Sequence, residues 1–406
     1  MIGRNVRVVR WAAFGLLVGA LSIVAAGCGG GGSSSSSAST EIEGLGSSLD
    51  EIKANARNEG QVKLVIWAGY ADKSWADTFR QQTGCVVHAK DGASSDDMVD
   101  LMSTGAYDGV SASGDATLRL IARGDVAPVN FDLIPNYTDV YQGLKGQSYN
   151  TVDGVGYGVP HGRGPNLMVW SNKAISPDND SWAAIWPGTD YKGKLSIYDN
   201  QIFIADAALY LKATQPDLNI TNPYELDDDQ FNAAIDLLKQ QREFIGEYWS
   251  DALKQISAYE NGDSVVGTTW PYQTSVLQTE GEPVEAVLPS EGATGWSDTW
   301  MISSQAEHPN CMYAWMNHIL KPKVNAEEAV WYGEAPANQK SCALMGDLPA
   351  VYGGTPDYCD TIHAADEAFW NQIAFWETPL ADCGDDRGDE CKTYDEWVQG
   401  WSEVKG

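Results

Sequence analysis

An α/β fold is predicted by three features of the 406-residue sequence. Gln61 to Trp67 is a nearly continuous apolar run, as expected of a strand buried on both faces. Short strands and helices then alternate as far as Arg123, which implies parallel β-α-β units. Strands and helices return after Tyr157, so the chain is long enough for two lobes with separate cores.

Taken in order, Ser48 to Asn58 reads as a short helix with acid near its start, ahead of the first strand. Trp75 to Gln82 has helical spacing, Cys85 to His88 is a second strand, and Ser94 to Met102 is a helix. Asp108 to Ser113 is a strand running into a loop, and Leu118 to Arg123 is helical. Tyr157 to Pro160 and Asn166 to Asn172 read as two strands joined by a Gly-rich turn. Phe231, Ala234, Ile235, Leu238, Phe244 and Ile245 follow a helical apolar spacing behind an Asp227–Asp229 cap. Asp251 to Asn261 is a helix stopped by Gly262, and Ser264 to Trp270 is a strand. Pro309 to Leu320 is helical, with Pro322 expected to end it.

The first forty residues carry a different signal. Arg4, Arg7 and Arg10 precede the apolar run Trp11 to Val24, and Ala25-Ala26-Gly27 places small residues before Cys28. Such a short run with basic flanks reads as an export signal, not a spanning helix. The cysteine after small residues resembles the lipobox of bacterial lipoproteins, although Ala25 stands where leucine or valine is commoner. That resemblance implies a lipoprotein signal segment at 1–28, cleaved before Cys28, whose thiol is acylated and becomes the mature N-terminus. Residues 29–56 are a Gly/Ser-rich tether and a short helix. The expected location is the outer face of the membrane of a bacterial envelope, on a lipid anchor.

Lys and Arg number 26 against 56 Asp and Glu, a formal charge of −30. This excess disfavours nucleic acid and anionic lipid as partners. General surface acidity is the first explanation of the total, so only local carboxylates can specify a ligand. Six cysteines remain after Cys28, an even number outside the cytoplasm that allows up to three disulfides. The loop between Cys383 and Cys391 is expected to be closed by those two; the other pairings stay open. No later run supplies the ~20 apolar residues of a membrane span.

Several local patterns line up in order: Leu64-Val-Ile-Trp-Ala-Gly-Tyr70, Thr83-Gly84, Tyr107-Asp-Gly-Val110 with the Ser113 loop, Arg123 to Pro128, Tyr157 to Pro160, Tyr259 to Asp263 leading to Trp270, and Trp296-Ser-Asp298. This ordered set over roughly residues 60 to 345 resembles the extracellular solute-binding proteins of ABC importers, in their spermidine/putrescine-binding branch. The resemblance implies a two-lobed periplasmic-binding-protein-like fold of type II, with ligand held in a cleft between α/β lobes. It divides the chain into lobe one at 57–165 plus 300–345, and lobe two at 166–299 plus 346–406.

The same resemblance implies the site. Trp67 and Tyr70 match first-strand positions, Tyr70 on a ligand-contacting residue, and Ser113 matches a serine lining the cleft. Trp270 and Trp296 match two tryptophans that sandwich an alkyl chain, and Asp298 matches a carboxylate gripping an amine. Departures accompany these matches. Asp115 stands where relatives carry tyrosine, and Asn200 and Phe203 fall where they hold a second amine with acids. Glu377, after Trp376, is a loose match to a glutamine, so Asp115 and Glu377 are candidate replacements for the lost grip.

The expected partners are a small cationic solute, with a polyamine first, and ABC permease subunits. A monomer is expected, with no nucleic-acid partner and no cofactor. Arg163, flanked by Gly162 and Gly164, suggests instead a carboxylate-bearing ligand such as a betaine or amino acid, or else a structural ion pair. The histidines are scattered and the Cys/His spacings do not suit zinc, so no metal is expected. No G-x-S-x-G elbow, P-loop or post-strand G-x-G-x-x-G occurs, so an enzyme is not expected. A secreted hydrolase working through cleft carboxylates is the reading from another class.

Overall fold

The computed structural model describes residues 42–175, 180–188, 190–348 and 355–406. The leader, Cys28 and the Gly/Ser tether lie outside the described residues.

Alternation of buried side chains explains the first sheet. Val62, Leu64 and Ile66 enter one apolar cluster and Val65 another on the opposite face, so the strand is covered on both sides. Its neighbours give the order Val86–Asp91, Gln61–Ile66, Gly109–Ala112, Thr299–Ile302, Val159–Pro160. The first three strands run parallel, while Thr299–Ile302 is antiparallel to both of its neighbours.

A second five-stranded sheet has the order Ile245–Trp249, Leu195–Tyr198, Val266–Thr269, Leu167–Ser171, Val284–Val287. It too pairs parallel on one side and antiparallel on the other. A third sheet joins them: Ala335–Pro336, Gly162–Pro165, Ala293–Trp296, Ile373–Phe375. The chain passes from first sheet to second through Gly162–Pro165 and returns through Ala293–Trp296. At these crossings His161 donates its backbone N–H to the Asp298 carbonyl at 2.8 Å.

The helices follow local rules. Asp227 caps Asp228–Gln241 in a reciprocal capping box with Gln230. Phe244 and Ile245 depart from the helical expectation: the chain leaves the helix through Arg242–Phe244, and Ile245–Trp249 joins the second sheet. The helix Pro309–Ile319 ends before Pro322 as expected, and Pro322 then opens a further helix, Pro322–Tyr332, where its fixed φ and missing N–H suit the first turn. Three disulfides join Cys85 to Cys311, Cys342 to Cys359, and Cys383 to Cys391, the last as expected from its loop. Among the described residues, no helix is long and apolar enough to cross a membrane.

Candidate functional site

In open parallel sheets, ligand sites form beyond the carboxyl ends of the strands. Both five-stranded sheets turn those ends toward one region. Trp67 follows the strand Gln61–Ile66, and Ser113 follows Gly109–Ala112. From the second sheet, Tyr198 and Trp249 end their strands, and Trp270 follows Val266–Thr269. Asp298 joins this group because Thr299 pairs opposite Ala112, which sets the preceding residue beside the end of that strand.

Asp298 is buried, and its carboxylate is held from two sides. Tyr70 donates its hydroxyl to Oδ2 at 2.6 Å, and Ser113 donates Oγ–H to Oδ1 at 2.5 Å. Ser113 sits at the N-cap of the helix Gly114–Arg123 yet makes no side-chain cap bond, which leaves its hydroxyl for Asp298. Trp67 Nε1–H donates to the same Ser113 oxygen at 3.2 Å. Tyr70 is fixed in turn by stacking on His161, with ring centroids 4.0 Å apart, and by the edge of Tyr332. Burial raises the Asp298 carboxyl to about 6 against the pull of these two hydroxyls, and nearby Asp115 raises it further. Both groups bonded to it are neutral, so its charge is solvated only in part.

Asp115 lies deeper, 1 % exposed, with Oδ1 accepting from Ser95 Oγ at 2.8 Å. Burial again raises its carboxyl to about 6, opposed chiefly by Arg119. Tyr198 comes from the second five-stranded sheet to face these acids: after burial, Asp115 and then Asp298 are what push its phenol upward. Its ring stacks nearly parallel on Trp376 at 5.8 Å and meets Trp270 at 5.3 Å, while Trp270 meets Trp249 edge-on at 4.9 Å. The result is a cluster of four rings, of which Tyr198 faces the two buried acids.

The remaining expected residues divide. Trp296 is 8 % exposed and packs in the second-lobe cluster, its ring against Gly164, where a Cβ would come within 2.3 Å of the indole. Glu377 is half-buried at the seam, accepting from Ser148 and, at 3.4 Å, from Asn222 Nδ2. Asn200 commits its side-chain oxygen to the Ile202 N–H at 2.9 Å and so caps a turn, while Phe203 is core. Asp199 is taken by Trp401 and Lys405. Arg163 is 1 % exposed and donates to the Ala364 carbonyl at 3.0 Å and to Glu367 at 3.4 Å, with Trp370 stacked 4.2 Å away. Its guanidinium therefore answers to protein groups. Tyr198, Trp249 and Trp376 were not singled out as cleft residues by sequence reasoning. Tyr198 ends a four-residue strand between Lys194 and Asp199, and its one signal is an aromatic at a strand's carboxyl end.

Among the described residues no group of three or more His, Cys, Asp or Glu side chains is placed to hold a metal ion. Residues 74–351 match the family of bacterial extracellular solute-binding proteins. The chain belongs to that family. As a binding protein it is similar to the spermidine/putrescine-binding periplasmic protein of Escherichia coli strain K12, 23% identical over 296 residues, which span 72% of this chain and 82% of the relative. It is 22% identical to the putrescine/agmatine-binding protein of Pseudomonas aeruginosa PAO1, over 72% of this chain and 83% of that one. The spermidine/putrescine ABC transporter substrate-binding protein of Streptococcus pneumoniae shares the binding protein's two-lobed fold, with a TM-score of 0.65 at 17% identity over 85% of this chain and 97% of that structure.

Proposed function

We propose that this binding protein is the lipid-anchored receptor of an ABC importer and that it captures a small organic cation, a polyamine such as putrescine or spermidine, without altering it. The observation that carries this reading is Asp298, buried and bonded only to neutral hydroxyls, beside Tyr198, whose ring packs with Trp270 and Trp376. An ammonium supplies the charge the carboxylate lacks, and the rings receive methylenes and cation alike. Each desolvated ammonium–indole contact is worth ~2 kcal/mol, so a few contacts and one carboxylate approach the ~8 kcal/mol of micromolar binding. The names of the polyamine-binding relatives support the same class.

In this reading Trp67, Tyr70, Ser113, Trp270 and Asp298 form the working site, with Asp115, Trp296 and Glu377 at its margins. Lobe one is drawn from 57–165 and 300–345, and lobe two from 166–299 and 346–406; the third sheet takes strands from both, and Thr299 pairs in the first sheet. Cys28 is the site of lipid attachment, holding the receptor outside the membrane next to its permease.

Titration calorimetry with putrescine, spermidine, glycine betaine and several amino acids tests the reading, with mass spectrometry of the solute afterwards. Heat is expected from the polyamines, with the solute recovered intact. Heat from zwitterions alone would replace the polyamine assignment, and a chemically changed solute would replace the receptor by a hydrolase.

A further inference from the structure

The C-terminal segment lies beyond residue 351, where the family match ends, yet it reaches across the seam between the lobes. Thr378 Oγ1 bonds the carbonyls of Gly114 and Asp115 at 3.2 and 3.0 Å, at the start of the lobe-one helix Gly114–Arg123. Gly114 makes this approach feasible, since a Cβ there would stand 1.7 Å from the Trp376 carbonyl oxygen. Farther along, Tyr394 opens the terminal helix Tyr394–Lys405, which packs on the second lobe.

Tyr394 donates its hydroxyl to Asp96 Oδ1 at 2.8 Å, on the lobe-one helix Ser95–Met102. Gln201, of the second lobe, donates to the Tyr394 oxygen and reaches Asp96 Oδ2 at 3.3 Å. Arg119 completes the group. Its Nη1 donates to Asp96 Oδ1 at 2.7 Å, its Nε donates to the Asp115 carbonyl at 3.1 Å, and its guanidinium lies 3.8 Å over the Tyr394 ring. One carboxylate thus accepts from three donors, two of which belong to the opposite lobe. Charge-assisted bonds of this kind are stronger than neutral ones. The stacked guanidinium adds a cation–π contact that is partly shielded from water.

We propose that Asp96, Arg119, Gln201 and Tyr394 form a latch, and that these positioning residues favour the closed arrangement of the lobes before any solute is bound. The contacts run wholly between protein groups, so they act with or without a ligand. The terminal helix is the part of lobe two that engages lobe one here, and the Cys383–Cys391 disulfide directly precedes it. Arg119 is also one helical turn from Asp115, so the latch and the innermost acid share one face of a helix.

Small-angle scattering on the solute-free mature protein, wild type against the double variant D96A/Y394F, tests this. Tyr394→Phe keeps the ring, and Asp96→Ala removes the shared acceptor. The radius of gyration is expected to rise in the double variant, with monomer mass and melting temperature within the scatter of wild type. An unchanged radius overturns the latch. A larger radius that comes with a lost melting transition also overturns it, since that result is unfolding and not lobe opening. No solute is added, so the outcome is independent of the polyamine assignment.

Discussion

Replacing Asp298 with alanine is expected to weaken spermidine binding at least tenfold in titration calorimetry at pH 7.5. The carboxylate sits in a buried pocket where Tyr70 and Ser113 supply hydrogen bonds but no positive charge. A unit charge pair at about 4 Å is worth about 4 kcal/mol at the effective dielectric typical of protein sites. Truncating one partner of a desolvated charge pair commonly costs about 2–5 kcal/mol. Tenfold, about 1.4 kcal/mol, is therefore the lower edge of the expectation. Asp298→Asn separates charge from shape, because an amide of the same size still accepts from one hydroxyl. A comparable loss in Asp298→Asn assigns the effect to charge, whereas wild-type affinity in both variants would remove Asp298 from the site.

The solute-free protein is expected to lose stability as pH rises from 6.5 to 8. Burial lifts Asp206 to about 7, and it lifts Glu328 and Glu334 well above the usual carboxylate range. After burial, Glu334 raises Glu328 further against the pull of Asn325, and Asp298 raises Glu334, whose carboxylate oxygens have no hydrogen-bond partner. Their neighbour His161 accepts from Trp300 Nε1–H at 3.0 Å, and burial drives its pKa to about 3, so it brings no positive charge. These carboxyls keep their protons to a higher pH in the folded chain than in the unfolded one. The stability they contribute is complete below the unfolded carboxylate value and disappears as pH climbs through the folded one.

Each retained proton gives a slope of about 1.4 kcal/mol per pH unit. The buried histidines His161 and His318 oppose this, but only below the unfolded imidazole value of 6.5, outside the window. Melting temperatures measured across it should therefore fall with pH, and Glu334→Gln should flatten the fall. A flat or rising profile in the wild type would mean that these acids are ionised and partnered in solution.

Much of the fold was legible because it is written in local patterns. The apolar run ending at Trp67 gave a strand buried on both faces, and the Trp296-Ser-Asp298 triplet marked the acid placed by the pairing of Thr299 with Ala112. The eight-residue spacing of Cys383 and Cys391 made their disulfide readable, while Cys85 and Cys311 are 226 residues apart and nothing local links them. Ile245 misled because helical spacing continued past the point where sheet pairing took over. Tyr198 was missed because four residues carry too little periodicity to declare a strand, although its ring is central to the aromatic cluster. Asn200 and Arg163 show the limit from the other side. Their chemistry suits a ligand, but a turn amide and the Ala364 carbonyl with Glu367 already occupy them, and only tertiary structure reveals that.

The most direct test is the electron density of a crystal grown with spermidine. A nitrogen of the solute should lie within hydrogen-bond distance of the Asp298 carboxylate, and its methylenes should run along Trp270 and the Tyr198–Trp376 stack. An anion in that crevice, or spermidine bound elsewhere while Asp298 keeps only Tyr70 and Ser113, would contradict the account.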